Sequence, residues 1–148
     1  MTLETFELFR HTIEEAIPFN KYVGVRLHSL ESGRCALFLP FRHELIGDAQ
    51  QMTFHGGVLS MLIATCGSFA VWSTCSPEDN IVTIDMGIDY LRPVPNIDLI
   101  AEARVRYVGG RVGNAHTVIY PLDSPHNILA EGRSVYNIRR RSASAQEG

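Results

Sequence analysis

Apolar residues follow two different spacings along the chain, and each spacing predicts a different kind of helix. Over the first 17 residues they recur every three or four positions, which predicts an amphipathic helix that ends before Pro18. From Val58 to Trp72 the apolar residues are almost continuous, which predicts a helix without a polar face over 56–75. The first helix should therefore bury one side, and the second should lie inside the molecule.

Alternation of apolar and polar residues predicts strands in the rest of the chain. Val23–Leu30 and Arg34–Leu39 should form a hairpin that ends at Pro40, and 41–54 should be a loop with at most one short helical turn. The further strands are expected at Ile81–Leu91, Leu99–Val108, Val112–Tyr120 and Ile128–Ile138. The first of these four should bury a face that carries Ile84, Met86, Ile88 and Tyr90.

Together these elements predict an α+β domain in which about six antiparallel strands curve around one long central helix. Short connections favour antiparallel neighbours, and a helix that is apolar on all sides must be covered on all sides. A chain of 148 residues with 45% hydrophobic content can build one such core. We expect a single domain over 1–140 and a disordered tail over 141–148, where the residues are small and polar.

Charge and cysteine content exclude several classes of function. The net charge of −3 argues against nucleic-acid binding, and the 15-residue apolar run is too short to span a membrane. The acidic N-terminal segment does not resemble a secretion signal. Cys35, Cys66 and Cys75 have neither the spacing of a metal site nor an even number for disulfides. We expect a cytoplasmic protein with reduced thiols, no metal, no nucleic-acid partner and no membrane partner.

The clearest chemical signal is the turn His55-Gly56-Gly57, which leads directly into the apolar helix. The first N–H groups of a helix have no partner within the helix and lie at the positive end of its dipole, so they can hold a carbonyl oxygen that becomes negative. Two glycines allow a ligand to approach this backbone closely. The turn therefore predicts a binding site for a reactive carbonyl group.

Several motifs, in order along 22–138, resemble one known family. These are GDAQQMTFHGGVLSML at 47–62, TIDMGIDYLRPVP at 83–95, the turn Gly109-Gly110-Arg111 and the stretch Ala130-Glu131-Gly132. In this order and spacing they resemble the hotdog-fold acyl-CoA thioesterases of the phenylacetate-degradation type. The resemblance implies a hotdog fold, a homodimer or homotetramer with sites shared between subunits, and hydrolysis of a small-molecule acyl-CoA without metal or organic cofactor.

The resemblance also implies roles for individual residues. His55 would lie beside the thioester, an amide of Gly56 or Gly57 would polarise its carbonyl group, Asp48 would position substrate or water, and Thr83 would hold water or product. These four positions give the expected catalytic set His55, Gly56, Asp48 and Thr83. The expected substrate-binding set is Gly57, Ala64, Thr65, Arg92 and Arg111, in which the arginines would contact the CoA phosphates.

One position departs from the family pattern, which places an Asp or Glu nine residues after the histidine. This chain has Ala64 there, and a methyl group can neither attack a thioester nor accept a proton from water. Three hypotheses remain open at this point. The protein hydrolyses thioesters with Asp48 as the base or Thr65 orienting water, or it binds an acyl-CoA as a sensor or carrier with little turnover, or it performs another reaction such as hydration of an enoyl thioester.

Each of these candidate residues also has a purely structural interpretation. His55 would cap the helix, Asp48 would stabilise a turn after Gly47, and Thr83 would be an ordinary strand residue. The sequence leaves both interpretations open for these side chains.

Overall fold

The computed structural model describes residues 1–141. They contain three α-helices and eight strands. The helices are α1 (Leu3–His11), α2 (Pro18–Val23) and α3 (Gly56–Trp72), with a π-helical turn at Thr12–Ala16 and a 3-10 turn at His43–Leu45. The strands are β1 (Arg26–Glu31), β2 (Arg34–Leu39), β3 (Ile46–Asp48), β4 (Thr53–Phe54), β5 (Asn80–Tyr90), β6 (Leu99–Val108), β7 (Val112–Pro121) and β8 (Ala130–Arg139).

The main sheet has six strands in the order β1-β2-β6-β7-β8-β5, and every neighbouring pair is antiparallel. Helix α3 packs on one face of this sheet, with Leu62, Ile63 and Cys66 fully buried against it. Strands β3 and β4 form a separate two-stranded ribbon before α3. The predicted α+β architecture, with one central helix and about six antiparallel strands, is confirmed.

The N-terminal segment differs from the single helix predicted to end before Pro18. Helix α1 ends at His11 and continues through the π-helical turn, and Pro18 then starts α2 rather than ending a helix. Proline suits the first position of a helix because it needs no N–H partner there. Gly24 ends α2 with a φ of +92°, so the first strand begins at Arg26 instead of Val23.

Strand β5 only partly follows the predicted alternation. Met86 and Ile88 pack against the core, whereas Ile84 and Tyr90 are 59% and 54% exposed. A β-bulge between Thr83 and Asp85 leaves Ile84 without a partner on β8 and shifts the pairing by one residue. The prediction that Ile84 and Tyr90 lie on a buried face was therefore wrong for the single chain.

Other boundaries differ by a few residues. The hairpin of β1 and β2 is confirmed, and β2 ends at Leu39 before Pro40 as expected. Helix α3 ends at Trp72, three residues before the predicted end, and the loop 41–54 contains the predicted helical turn together with β3 and β4, which were not predicted. Within the predicted tail, the Arg141 N–H donates to Asp79, and 142–148 lie outside the described residues.

No helix within residues 1–141 combines the length and the apolar character required to cross a membrane.

Candidate functional site

His55 caps the first turn of α3 through its side chain. Its Nδ1 accepts a hydrogen bond from the Gly57 N–H at 2.8 Å, and its own N–H donates to the Leu45 carbonyl at 2.9 Å. A Cβ at Gly57 would lie 2.8 Å from Nδ1, so only glycine leaves room for this cap. The structural interpretation of His55 is thus realised, and the Gly57 amide is occupied by the imidazole.

Gly56 differs from Gly57 because no described residue accepts a hydrogen bond from its N–H. Its carbonyl accepts from the Tyr90 hydroxyl at 3.0 Å, which ties the start of α3 to the end of β5. Gly56 is therefore the one predicted amide that remains available at this helix start within the described chain. Tyr90 was predicted only as a strand residue, although it lies within the motif at 83–95.

Asp48 lies in a turn that touches His55. A Cβ at Gly47 would lie 2.7 Å from the His55 Cα, which shows how closely the two backbones approach. The Asp48 Oδ1 accepts the N–H groups of Gln50 and Gln51 at 2.9 and 3.1 Å, as expected for a turn-stabilising aspartate. The side chain is exposed, and its Oδ2 has no hydrogen-bond partner among the described residues.

A cavity of about 340 Å³ lies at the start of α3, and we call it the helix-start cavity. Gly56, Tyr90 and Arg92 are among the residues that line it. The Arg92 guanidinium is exposed and donates one hydrogen bond, to the Asn127 side chain at 3.0 Å. A predicted amide donor and a predicted phosphate ligand therefore share one cavity.

A larger cavity of about 490 Å³ lies between the N-terminal helices, the middle of α3 and the start of β5, and we call it the mid-helix cavity. Ala64, Thr65 and Thr83 line it together, although they come from different elements and Thr83 was expected beside His55 and Asp48. The hydroxyls of Thr65 and Thr83 form no hydrogen bonds with other described residues. Among the described residues that line this cavity, the one carboxylate is that of Asp79, which pairs with Arg140 at 3.0 Å.

Within one chain the two cavities are far apart. Gly56 and Ala64 are eight residues apart on α3, which corresponds to roughly 12 Å along the helix axis. Arg111 lies further away. Its carbonyl accepts the N–H of Ile138 on β8, and the nearby Gly113 packs against Val71, close to the other end of α3. The described chain therefore brings together two groups of predicted residues and leaves Arg111 outside both.

One side of α3 is not covered by the sheet. The half-buried residues Ser60, Ala64, Ser68 and Trp72 recur at four-residue spacing and form a stripe along the helix. The expectation that the chain itself would cover the helix on all sides is thus not met on this stripe. Ala64, Ser68 and Trp72 of this stripe are part of the wall of the mid-helix cavity.

Two residues of the mid-helix cavity were not predicted from the sequence. Asn20 is 3% exposed, and its Nδ2 has no hydrogen-bond partner among the described residues. The Trp72 Nε1 is also buried without a partner. A lone Asn carries no sequence signal for such a position, and Trp72 was noted only as the end of the apolar run predicted to lie inside the molecule.

Cys66 has no role in the site, although it lies two positions after Ala64. Burial, together with the neighbouring Cys35 thiol, raises the pKa of the Cys66 thiol well above its usual value. The Cys66 Sγ donates to the carbonyls of Cys35 and Ala101 inside the core. Within residues 1–141 no group of three or more His, Cys, Asp and Glu side chains could hold a metal ion.

Comparisons with known proteins identify the family of this chain. The model of the thioesterase superfamily matches residues 51–124, which are 74 of the 148 residues. A candidate esterase of Halobacterium salinarum is 33% identical over 126 residues, covering 80% of this chain and 83% of that protein. The medium/long-chain acyl-CoA thioesterase YigI of Salmonella typhimurium is 28% identical over 135 residues, covering 82% and 86%.

A solved structure supports the same assignment. An X-ray structure of a thioesterase superfamily protein superimposes with a TM-score of 0.84 at 30% identity, over 92% of this chain and 99% of the other. The predicted hotdog fold is thereby confirmed.

Proposed function

The chain belongs to the thioesterase superfamily, and from that premise we propose that it hydrolyses acyl-CoA thioesters at a site shared by two copies of the chain. The observation that carries this proposal is the unpartnered Gly56 N–H at the start of an apolar helix. It can donate to the thioester carbonyl and stabilise the negative charge that develops there during attack by water. The YigI relative, whose name specifies medium and long acyl chains, supports an acyl-CoA as the substrate.

A second copy would bring the separated parts of the site together. A thioester carbonyl cannot contact Gly56 and the Ala64 region of one helix at the same time, because they are roughly 12 Å apart. Strand β5 lies at the edge of the sheet and exposes Val82 and Ile84, so it can pair with the same strand of a second copy. Gly56 of one copy would then face the mid-helix cavity of the other.

The Asp48 carboxylate is the proposed base. Its Oδ2 is free to accept a proton while Oδ1 holds the turn against His55. A water molecule, oriented by the hydroxyl of Thr65 or Thr83, would attack the carbonyl carbon and give its proton to Asp48. The C–S bond then breaks, the CoA sulfur takes up a proton, and the acyl group leaves as a carboxylic acid.

The remaining groups bind the substrate. The acyl group would occupy the mid-helix cavity, where Ala64 leaves space, and Arg92 would contact a CoA phosphate beside the helix-start cavity. His55 caps α3 through Nδ1, so its Nε2 carries the hydrogen in the neutral ring and can donate to the thioester. Gly57 serves the cap and not the substrate.

A second candidate function is acyl-CoA binding without turnover. Ala64 favours it, since the position that would carry a carboxylate has only a methyl group, and the Asp48 Oδ1 is already engaged in a turn. A panel of short, medium and long acyl-CoAs, assayed for release of free thiol, separates the two functions. Release of thiol supports hydrolysis, whereas saturable binding without release with any member supports the binding protein.

The shared site is tested by the oligomeric state. Light scattering after size exclusion should give at least a dimer, and Ile84→Asp should give monomers that do not hydrolyse thioesters. Leu122→Asp is the matched control, because Leu122 is 44% exposed in a turn outside β5 and both cavities. A monomeric native protein that still hydrolyses acyl-CoA would exclude the shared site.

A further inference from the structure

The hydroxyl of Tyr90 is bonded to the first turn of α3. It donates to the Gly56 carbonyl at 3.0 Å, and the ring lies 3.5 Å from the position of a Cβ at Gly56, which is ordinary van der Waals contact. Tyr90 is the last residue of β5 and pairs with Ala130 on β8. The next N–H, that of Leu91, donates to the Leu129 carbonyl at 3.0 Å. The sheet therefore fixes the position from which Tyr90 reaches the helix start.

This hydroxyl is bonded to the same peptide group that takes part in the helix cap. The Gly56 carbonyl and the Gly57 N–H belong to one peptide plane, and this N–H donates to the His55 Nδ1 at 2.8 Å. Besides the N–H that a first-turn carbonyl accepts within its own helix, the plane is thus held at its oxygen by Tyr90 and at its nitrogen by His55. These two bonds restrict the rotation that a Gly-Gly pair otherwise allows.

The backbone around the His-Gly-Gly turn is fixed as well. The Phe54 N–H donates to the Val94 carbonyl at 2.9 Å, and the His55 N–H donates to the Leu45 carbonyl at 2.9 Å. The His55 ring, in contrast, is bonded to the Gly57 N–H and to no other group among the described residues. The state of the ring therefore depends on this one bond.

The contacts form a series of donors that all act in the same direction. The Tyr90 hydroxyl donates to one end of the Gly56–Gly57 peptide group, and the other end donates to the His55 Nδ1. An Nδ1 that accepts an N–H leaves the hydrogen of the neutral ring on Nε2. A donor at the carbonyl polarises the peptide group and strengthens the bond that its N–H makes. The Tyr90 hydroxyl thus favours the ring form in which Nε2 is a donor.

We propose that Tyr90 is a positioning residue of this site, whose hydroxyl acts through the Gly56–Gly57 peptide group to keep the hydrogen of the His55 ring on Nε2. The use of this hydrogen to hold a thioester rests on the proposed function, whereas the effect of Tyr90 on the ring does not. Tyr90 also lines the helix-start cavity, so the experiments separate its hydroxyl from its ring.

The first experiment measures the ring form of His55 without any substrate. In protein labelled with nitrogen-15, at about pH 8.5, where histidine is ordinarily neutral, the ring chemical shifts distinguish a nitrogen that carries hydrogen from one that does not. The native ring should carry its hydrogen on Nε2. Tyr90→Phe should raise the share of the Nδ1–H form about threefold. His55→Asn identifies the His55 signals among those of the 6 histidines.

Tyr107→Phe is the matched control for loss of a tyrosine hydroxyl. Tyr107 is 60% exposed, compared with 54% for Tyr90, and it lies on β6 outside both cavities. Both variants should keep the fold, because each removes one oxygen from an exposed side chain. The ring of His55 should change in Tyr90→Phe and stay as in the native protein in Tyr107→Phe.

The second experiment measures hydrolysis of an acyl-CoA. Tyr90→Phe should lower kcat about tenfold and leave KM within about twofold, because a weakened donor matters most where charge develops in the transition state. Tyr90→Phe combined with His55→Asn should be no slower than His55→Asn alone, since a residue that acts through the ring has no effect once the ring is absent.

The outcomes separate this inference from the proposed hydrolysis. An unchanged His55 ring in Tyr90→Phe, or an equal change in Tyr107→Phe, would overturn the inference. Additive losses in the double variant, or a raised KM with the native kcat, would also overturn it, and Tyr90 would then contact the substrate itself. If the native protein releases no thiol from any acyl-CoA, the proposed hydrolysis fails, and the ring measurement alone decides the inference.

Discussion

The Nδ1 of His55 accepts a hydrogen bond from the Gly57 N–H at 2.8 Å. This contact divides the His-Gly-Gly turn into a structural part and a chemical part. It occupies the Gly57 amide, requires a hydrogen on Nε2 in the neutral ring, and leaves the Gly56 N–H without a partner among the described residues. The turn therefore leaves two donors without a partner among the described residues, the Gly56 N–H and the His55 Nε2–H, which are the donors of the proposed function.

His55→Asn and His55→Ala should separate helix capping from substrate binding. Asn is a good cap, so His55→Asn should keep most of the stability, whereas His55→Ala should lose about 1 kcal/mol. Neither variant has the Nε2–H, so both should lose thiol release to a similar degree. Urea unfolding and a thiol-release assay check the two effects, and full activity in His55→Asn would show that the imidazole acts only as a cap.

Asp48→Asn tests the proposed base without disturbing the turn. An amide oxygen can accept the N–H groups of Gln50 and Gln51 as the carboxylate does, so the fold and the melting temperature should stay the same. Loss of a general base should lower kcat by about 100-fold or more. Asp48→Ala is the comparison that also breaks the turn. If Asp48→Asn hydrolyses acyl-CoA at the native rate, the base lies elsewhere.

The sequence predicted those features of the site that are formed by residues close together in the chain. The His55 cap and the Asp48 turn are made within three residues, and both structural interpretations were available from the sequence alone. Strands β7 and β8 also follow from alternation, because each buries every second residue. The bulge at Ile84 was not predictable, since it depends on the pairing of β5 with β8.

The mid-helix cavity depends on contacts between distant segments. Asn20 and Trp72 are 52 positions apart and line the same cavity only because the N-terminal helices lie against α3. The first helix was predicted as one continuous element, so the turn at Pro18 that gives Asn20 its place was missed. Ala64, in contrast, was recognised as unusual because the resemblance fixed its position in a motif.

Ala64→Asp should supply the carboxylate that the family pattern places at this position. The side chain would point into the mid-helix cavity next to Thr65, where water can reach the thioester in the proposed arrangement. Combined with Asp48→Asn, it should restore thiol release by about 100-fold over Asp48→Asn alone. Ala64→Asn, with the same size and no basic oxygen, is the control. Equal rates for the Asp and Asn variants would mean that no base can act from this position.

Gly67→Ala should destabilise the fold because Tyr136 fills the space next to Gly67. A Cβ at this position would collide with the Tyr136 hydroxyl, which donates to the Ala64 carbonyl at 2.7 Å. We expect a loss of about 1–3 kcal/mol from overpacking. Tyr136→Phe removes the hydroxyl, so the double variant should lose less than the sum of the two single variants. Additive losses in urea unfolding would show that the two sites do not interact.

Asp79 should make the stability of the fold depend on pH in the acid range. Burial acts to raise the pKa of Asp79, but the hydrogen bonds from Arg140 and from the N–H groups of Ser76 and Arg141 outweigh it, so the pKa is lower than 3.8. A carboxyl whose pKa is lower in the folded state contributes stability above its unfolded pKa, and this contribution disappears as the pH falls through the folded pKa. The native melting temperature should thus decline below about pH 4.

Asp79→Asn should remove this part of the pH dependence. It should lower stability by about 2 kcal/mol at neutral pH, since the amide oxygen of Asn carries no charge to balance the buried side of the Arg140 guanidinium. Asp85→Asn is the control, because Asp85 is 64% exposed and pairs with Arg133 at 3.5 Å. Between pH 7 and pH 3, the melting temperature of Asp79→Asn should fall less than that of Asp85→Asn. Parallel curves for the native protein and both variants would mean that Asp79 does not link folding to protonation.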